Sequence, residues 1–163
     1  MSVFHKKIII VSDSHGENHN LWRILEREKP YELVIHCGDY EYELSEMERR
    51  AGCEVRLVAG NNDYPGRYPE MQVFQVGSHK FLLVHGHRNR LYAGLQALHY
   101  LARENEAEYV VFGHLHKPVI ETIDGITFLN PGSVTYPRQA DRTCTYLVLT
   151  VQDQDIDIEL KTI

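Results

Sequence analysis

Five short apolar runs in this chain each stop abruptly at a polar residue able to hold a metal ion. Ile8-Ile9-Ile10-Val11 gives way to Asp13 and His15, and Leu33-Val34-Ile35 to Gly38-Asp39. Residues 55–58 lead to Gly60-Asn61, 81–84 to His85-Gly86, and 109–112 to Gly113-His114 and His116. Short apolar runs rich in β-branched residues predict strands buried on both faces. In open α/β sheets the loops beyond the carboxyl ends of the strands converge, while the sheet itself stays rigid. Five strands ending this way predict one shared polar site at a sheet edge. Glycine at these corners lets the backbone turn and pass close to a bound ion.

The segments between the runs complete an α/β pattern. Residues 20–28 predict a helix, with Leu21, Ile24 and Leu25 on one face and Pro30 beyond its end. A shorter helix is expected over 45–51, closed by Gly52. Residues 71–76 and 80–84 read as a hairpin around Gly77-Ser78. Leu91, Leu95, Leu98 and Ala102 share a helical face, so the longest helix is expected over 90–105. Strands are expected at 119–123, 126–129, 143–150 and 154–161, with a turn at Asp124-Gly125. Strand–helix alternation followed by a strand-rich second half predicts an α/β sandwich with mixed sheets, in a single domain over 1–163.

Composition narrows the function classes. A net charge of -6, from 17 Lys and Arg against 23 Asp and Glu, leaves no broad basic surface for stable binding of duplex nucleic acid. No apolar run approaches the roughly 18 residues of a membrane helix. Lys6-Lys7 before the first apolar run imitates a signal peptide, but that run is too short and lacks a cleavage site. Three cysteines without CxxC spacing (Cys37, Cys53, Cys144) read as reduced thiols in a cytoplasmic protein.

Four imidazoles (His15, His85, His114, His116), two carboxylates (Asp13, Asp39) and the Asn61 amide form a donor set without thiolate. Such a set suits Mn first, with Ni, Co, Fe or Zn as alternatives, better than Ca or Mg. Seven side chains exceed the needs of one ion. Two ions about 3.5–4 Å apart can clamp the attacking and leaving oxygens of a phosphoryl displacement. Burying so many polar groups without a partner would cost several kcal/mol.

Taken together, Asp13-x-His15, Gly38-Asp39, Gly60-Asn61, His85-Gly86 and Gly113-His114-x-His116 resemble the ordered signature of calcineurin-like metallophosphoesterases. The length resembles the small prokaryotic branch of YfcE type, and Asn130-Pro131-Gly132-Ser133 resembles a further segment of that branch. The resemblance covers about residues 7 to 150. It implies a four-layer αββα sandwich with two mixed sheets and a dinuclear metal site at the strand carboxyl ends. One ion would take Asp13, His15, Asp39 and His116, and the other Asn61, His85 and His114, with Asp39 bridging. A metal-bound hydroxide would attack the phosphorus of a small organophosphate or nucleotide. Relatives are often homodimers, although no segment here marks an interface.

One position departs from the family pattern. Many relatives with phosphomonoesterase activity carry a histidine after the motif asparagine, where this chain has Asn62, followed by Asp63. An amide cannot act as a general acid. The expected substrates therefore have good leaving groups, diesters among them, with His87 as a replacement acid and Asn62 on a phosphate oxygen. His36 is expected to pack at a strand end or to orient Asp39. His5, His19, His79 and His99 are expected on the surface or on helices, and Glu41, Glu43 and Arg138 in solvent, the alternatives being one of the two glutamates near the metals and Arg138 on a substrate phosphate. The alternative function is a non-catalytic interaction scaffold of the same fold, as in a eukaryotic retromer subunit. A nuclease is a third reading, disfavoured by the absence of a basic channel.

Overall fold

The alternation of side chains within each apolar run decides the layering. The computed structural model describes residues 4–163. In β1 (His5–Val11), Ile8 and Ile10 enter one core and Ile9 and Val11 another, as period-two geometry requires of a strand covered on both faces. β2 (Leu33–His36) and β3 (Glu54–Leu57) continue the sheet in parallel. β9 (Thr145–Gln152) and β10 (Asp155–Thr162) close its other side in antiparallel pairing, giving the order β10-β9-β1-β2-β3.

The second sheet has the order β4-β5-β6-β8-β7. Its hairpin β4 (Met71–Val76) and β5 (His79–Val84) turns at Gly77-Ser78 as expected. β6 (Tyr109–Val111) and β8 (Ile126–Pro131) run parallel to β5, and β7 (Pro118–Ile123) pairs antiparallel to β8 across Asp124-Gly125. The inner faces of the two sheets meet in one core, where Ile8, Ile35 and Leu147 lie with Phe81, Leu83 and Leu129. On the outer face of the first sheet, α1 (His19–Arg27) and α2 (Leu44–Ala51) bury Leu21, Ile24, Leu25 and Met47. On the outer face of the second, α3 (Gln96–Glu104) buries Leu98 and Ala102. The result is the four-layer αββα sandwich with two mixed sheets.

Two expectations need correction. The longest helix expected over 90–105 is instead a 3-10 turn, Leu91–Ala93, followed by α3, which at nine residues only equals α1. Gly94 breaks it, at φ 99 and ψ -159, far from helical angles. Leu91 and Leu95 still pack on the same core as Leu98 and Ala102, which explains the continuous apolar periodicity. His79 is buried at the start of β5, with Nδ1 3.4 Å from Glu108, rather than on the surface or a helix.

Candidate metal centre

Because β1, β2 and β3 are parallel, and β5, β6 and β8 likewise, the carboxyl ends of all six can feed one edge of the sandwich. Backbone hydrogen bonds knit these ends together. Asp13 donates to the Gly38 carbonyl at 3.1 Å, and His15 to the Asp39 carbonyl at 2.8 Å. Gly113 donates to the His85 carbonyl at 3.0 Å. Across the two sheets, the His114 N–H donates to Asp13 Oδ2 at 3.1 Å.

The backbone here is unusual. Asp13, His15, Asp39, Glu41, His114 and His116 all have φ between 50 and 69. Non-glycine residues rarely occupy this left-handed region, and they gather where a site demands it. The neighbouring glycines leave no spare room. A Cβ on Gly113 would overlap Ser12 Oγ and lie 2.7 Å from Asp13 Oδ2, and one on Gly60 would overlap the Asp39 carboxylate.

These constraints aim the side chains at one another. Asp13 Oδ1 lies 3.2 Å from His116 Nε2 and 3.8 Å from both His15 Nε2 and His85 Nε2. Asp39 Oδ2 lies 3.2 Å from His85 Nε2 and 3.6 Å from His15 Nε2. Asn61 Oδ1 is 3.1 Å from His85 Nε2. Two sets of donor atoms result, Asp13–His15–His116 and Asp13–Asp39–His85. The His114 imidazole stands aside from both sets, packed edge-on against His85 with ring centroids 5.1 Å apart.

The opposite ring nitrogens fix the orientation. His85 Nδ1–H donates to the Cys37 carbonyl and His116 Nδ1–H to the Tyr136 carbonyl, each at 2.7 Å. His15 Nδ1 meets the Glu41 carboxylate at 2.7 Å. Carbonyls only accept, so His85 and His116 present bare Nε2 lone pairs to the site in their neutral forms.

Burial pushes the Asp13 carboxyl up, but the adjacent His116 imidazole, the His85 charge and the Ser12 hydroxyl outweigh it and hold it below its ordinary value. For Asp39 burial is likewise outweighed, by His85 and by two hydrogen bonds from Asn62. His85 is the counterpart: burial lowers it, but Asp39 and Asp13 together raise it above the ordinary imidazole value. Burial and the His85 charge lower His114.

That donor set fits divalent cations. Asp13 Oδ1 is buried with no hydrogen-bond partner. His15 Nε2 and His116 Nε2 approach to 3.2 Å, and two lone pairs at that distance repel unless a cation lies between them. Two buried carboxylates held in the ionised form need positive charge nearby.

Residues 7–154 match the family model for the calcineurin-like phosphoesterase superfamily domain. The chain belongs to this superfamily. It is a hydrolase acting on phosphate esters. This calcineurin-like phosphoesterase is 36% identical over 148 residues to "Probable metallophosphoesterase YsnB" of Bacillus subtilis, covering 90% of this chain and 85% of that one. It superposes on a predicted phosphoesterase of Streptococcus pneumoniae TIGR4 with a TM-score of 0.86 and 34% identity, over 99% and 91% of the two chains. A Methanocaldococcus jannaschii protein named a phosphodiesterase is 26% identical over 146 residues, covering 77% of this chain and 82% of its own.

Several residues support the phosphoesterase site in ways the sequence did not show. Asp63, buried, accepts backbone N–H bonds from Asp39, Glu41 and Gly60 at 2.8 Å and from Tyr40 at 3.1 Å. Glu41 holds His15 rather than lying free in solvent. Ser133 Oγ donates to the Asp13 carbonyl at 2.8 Å, and Asn130 Nδ2 to the Gly113 carbonyl at 2.9 Å, so the Asn130-Pro131-Gly132-Ser133 segment braces both sheets. His36 Nδ1 accepts the Gly38 N–H at 3.1 Å and its Nε2 contacts Ser14 Oγ at 3.0 Å, so it braces the loops rather than orienting Asp39. Burial lowers it to about 4, keeping it neutral.

Asn62 is tied to Asp39, its backbone N–H on Oδ1 at 2.8 Å and its Nδ2 on Oδ2 at 3.1 Å. His87 lies beside His85 with ring centroids 5.4 Å apart, its Nδ1 buried without a partner. Arg138 lines a cleft of about 770 Å3 that opens from His15 and His116.

Proposed function

We propose that this phosphoesterase is a phosphodiesterase. It hydrolyses small organophosphates or nucleotides at a dinuclear centre of divalent transition-metal ions, Mn2+ first among them, within a single domain. One observation carries this reading: three imidazole Nε2 atoms converge on a buried, partnerless carboxylate oxygen of Asp13. Asp13, His15, Asp39 and His116 are assigned to one ion and Asn61, His85 and His114 to the other, with Asp39 shared. When bound, such ions lower the pKa of water and neutralise charge on phosphoryl oxygens.

The chain's own residues set the rest. Glu41, Cys37 and Tyr136 keep the three imidazoles aimed inward, and Asn62 holds the Asp39 carboxylate by both oxygens. With its amide committed in this way, Asn62 has no acidic proton for a departing alkoxide. His87 is the remaining acid, but burial, then the His85 and Arg88 charges, hold it below its ordinary value, so it is neutral at pH 7. Substrates with good leaving groups follow.

The test is hydrolysis of bis(p-nitrophenyl) phosphate beside p-nitrophenyl phosphate, by chelated protein refilled separately with Mn, Ni, Co, Zn and Mg. Metal-restored turnover favouring the diester is expected. A monoester preference would sink the leaving-group argument. Absence of turnover with every metal would favour the interaction scaffold.

A further inference from the structure

The cleft beside the donor cluster has a chemical character of its own. Its walls include His15, His116, Tyr136, Arg138, Arg142 and Cys144. Among the described residues neither Arg138 nor Arg142 has a carboxylate within the 4.0 Å of a salt bridge. The one acid on the walls, Glu41, is committed to His15 Nδ1 at 2.7 Å. Asp141, next to Arg142 in the chain, turns its carboxylate to the Thr143 N–H at 3.0 Å.

Arg138 is fixed close to the donor cluster, since its backbone N–H donates to the His116 carbonyl at 2.8 Å. Beside the donor cluster, Tyr136 offers the cleft a half-exposed ring that packs edge-on against His15 at 5.7 Å. On a chain of net charge -6, two free guanidinium groups lining one cleft are not the by-product of a basic surface. Guanidinium forks match phosphate oxygens two at a time. A volume of about 770 Å3 also exceeds what one scissile phosphate needs and falls in the range of nucleotide-sized ligands.

We infer that Arg138 and Arg142 bind a second phosphate of the substrate, carried on the same molecule as the scissile ester. The inference rests on the phosphodiesterase reading above and narrows its substrates to bisphosphorylated compounds, with an aromatic or sugar spacer lying over Tyr136.

Two nucleotides that differ by one phosphate test it without turnover. Equilibrium binding of thymidine 3′,5′-bisphosphate and thymidine 5′-monophosphate is measured on manganese-loaded protein. The wild type is expected to prefer the bisphosphate by about tenfold or more. In R138A/R142A that preference should fall below about twofold, with the unfolding temperature kept because both side chains are exposed. Equal affinities in the wild type, or a preference that survives the double substitution, overturn the inference. The p-nitrophenyl esters of the same two nucleotides then report turnover, the extra phosphate lowering KM. Hydrolysis of bis(p-nitrophenyl) phosphate without discrimination between the nucleotides would refute the second-phosphate site and leave the phosphodiesterase standing. Discrimination in binding with no ester hydrolysed would do the reverse.

Discussion

Asp63→Asn should be far more damaging than its isosteric shape implies. The Asp63 carboxylate accepts four backbone N–H bonds, Oδ2 from Asp39 and Gly60 and Oδ1 from Tyr40 and Glu41. Asp39 and Glu41 are left-handed, so three successive N–H groups cup one anion. An amide keeps one acceptor oxygen and points its NH2 at two N–H donors that had an acceptor. Each buried donor left unsatisfied costs about 1–3 kcal/mol. Two such donors, plus weaker bonds to a neutral oxygen, give a loss of about 4 kcal/mol, to be set against a typical total stability of about 5–15 kcal/mol. At about 2–4 °C per kcal/mol for a chain of this size, the unfolding temperature should drop by about 8–16 °C. Urea unfolding in chelator isolates this effect from metal binding. A metal titration of the surviving folded protein should show about 10–100-fold weaker binding, because Asp39 loses its backbone anchor. A D63N variant within about 0.5 kcal/mol of wild type in chelator would refute the reasoning.

Gly113→Ala would force a Cβ into Ser12 Oγ and the Asp13 carboxylate, and a loss of about 1–3 kcal/mol with weakened metal binding is expected; wild-type metal content in a stable variant would contradict it. Metal affinity should rise with pH through the raised His85 value, by up to about tenfold per pH unit, because an entering ion must displace that proton. Calorimetric titration in buffers of different ionisation enthalpy measures the proton released, and a flat affinity between about pH 6 and 8 would count against it. Glu28, 3% exposed, is pushed up by burial but held down to about 2 from 4.5 by Lys161, Tyr146 and Lys7. Its folded value is depressed, so its contribution is complete above the unfolded value and is lost as pH falls from about 4.5 to 2. The lysines are 25% and 33% exposed, which screens the pairing and reduces a nominal ~3 kcal/mol to about 2 kcal/mol. Glu28→Gln should therefore flatten the acid limb of the stability profile, and an unchanged limb would refute this.

The strand ends and the metal-competent residues were legible because both signals are local. An apolar run, a glycine and a polar side chain lie within a few positions at each corner. What the bracing residues do was not legible, because their work depends on loops brought together by folding. Ser133 meets the Asp13 carbonyl across 120 positions. Asp63 looks in sequence like any loop acid until the Gly38-Asp39 turn folds onto it. Glu41 was expected in solvent for the same reason. The helix misread over 90–105 had the opposite cause: its apolar period was real, and one glycine angle interrupted the backbone beneath it. The His114 imidazole, expected as a ligand from its place after the 109–112 strand, lies beside His85 and outside the two clustered donor sets.

The proposed ligands Asp13, His15, Asp39 and Asn61 follow strands of the first sheet, and His85, His114 and His116 follow strands of the second. No single layer therefore holds the distances between donor atoms. They are set by how far apart, and at what angle, two five-stranded sheets rest on the side chains between them. Leu83, Val111 and Leu147 in that interlayer act as shims under a bench. Trimming one by a methyl group, well away from any phosphate, would retune the reaction centre while leaving every polar residue in place.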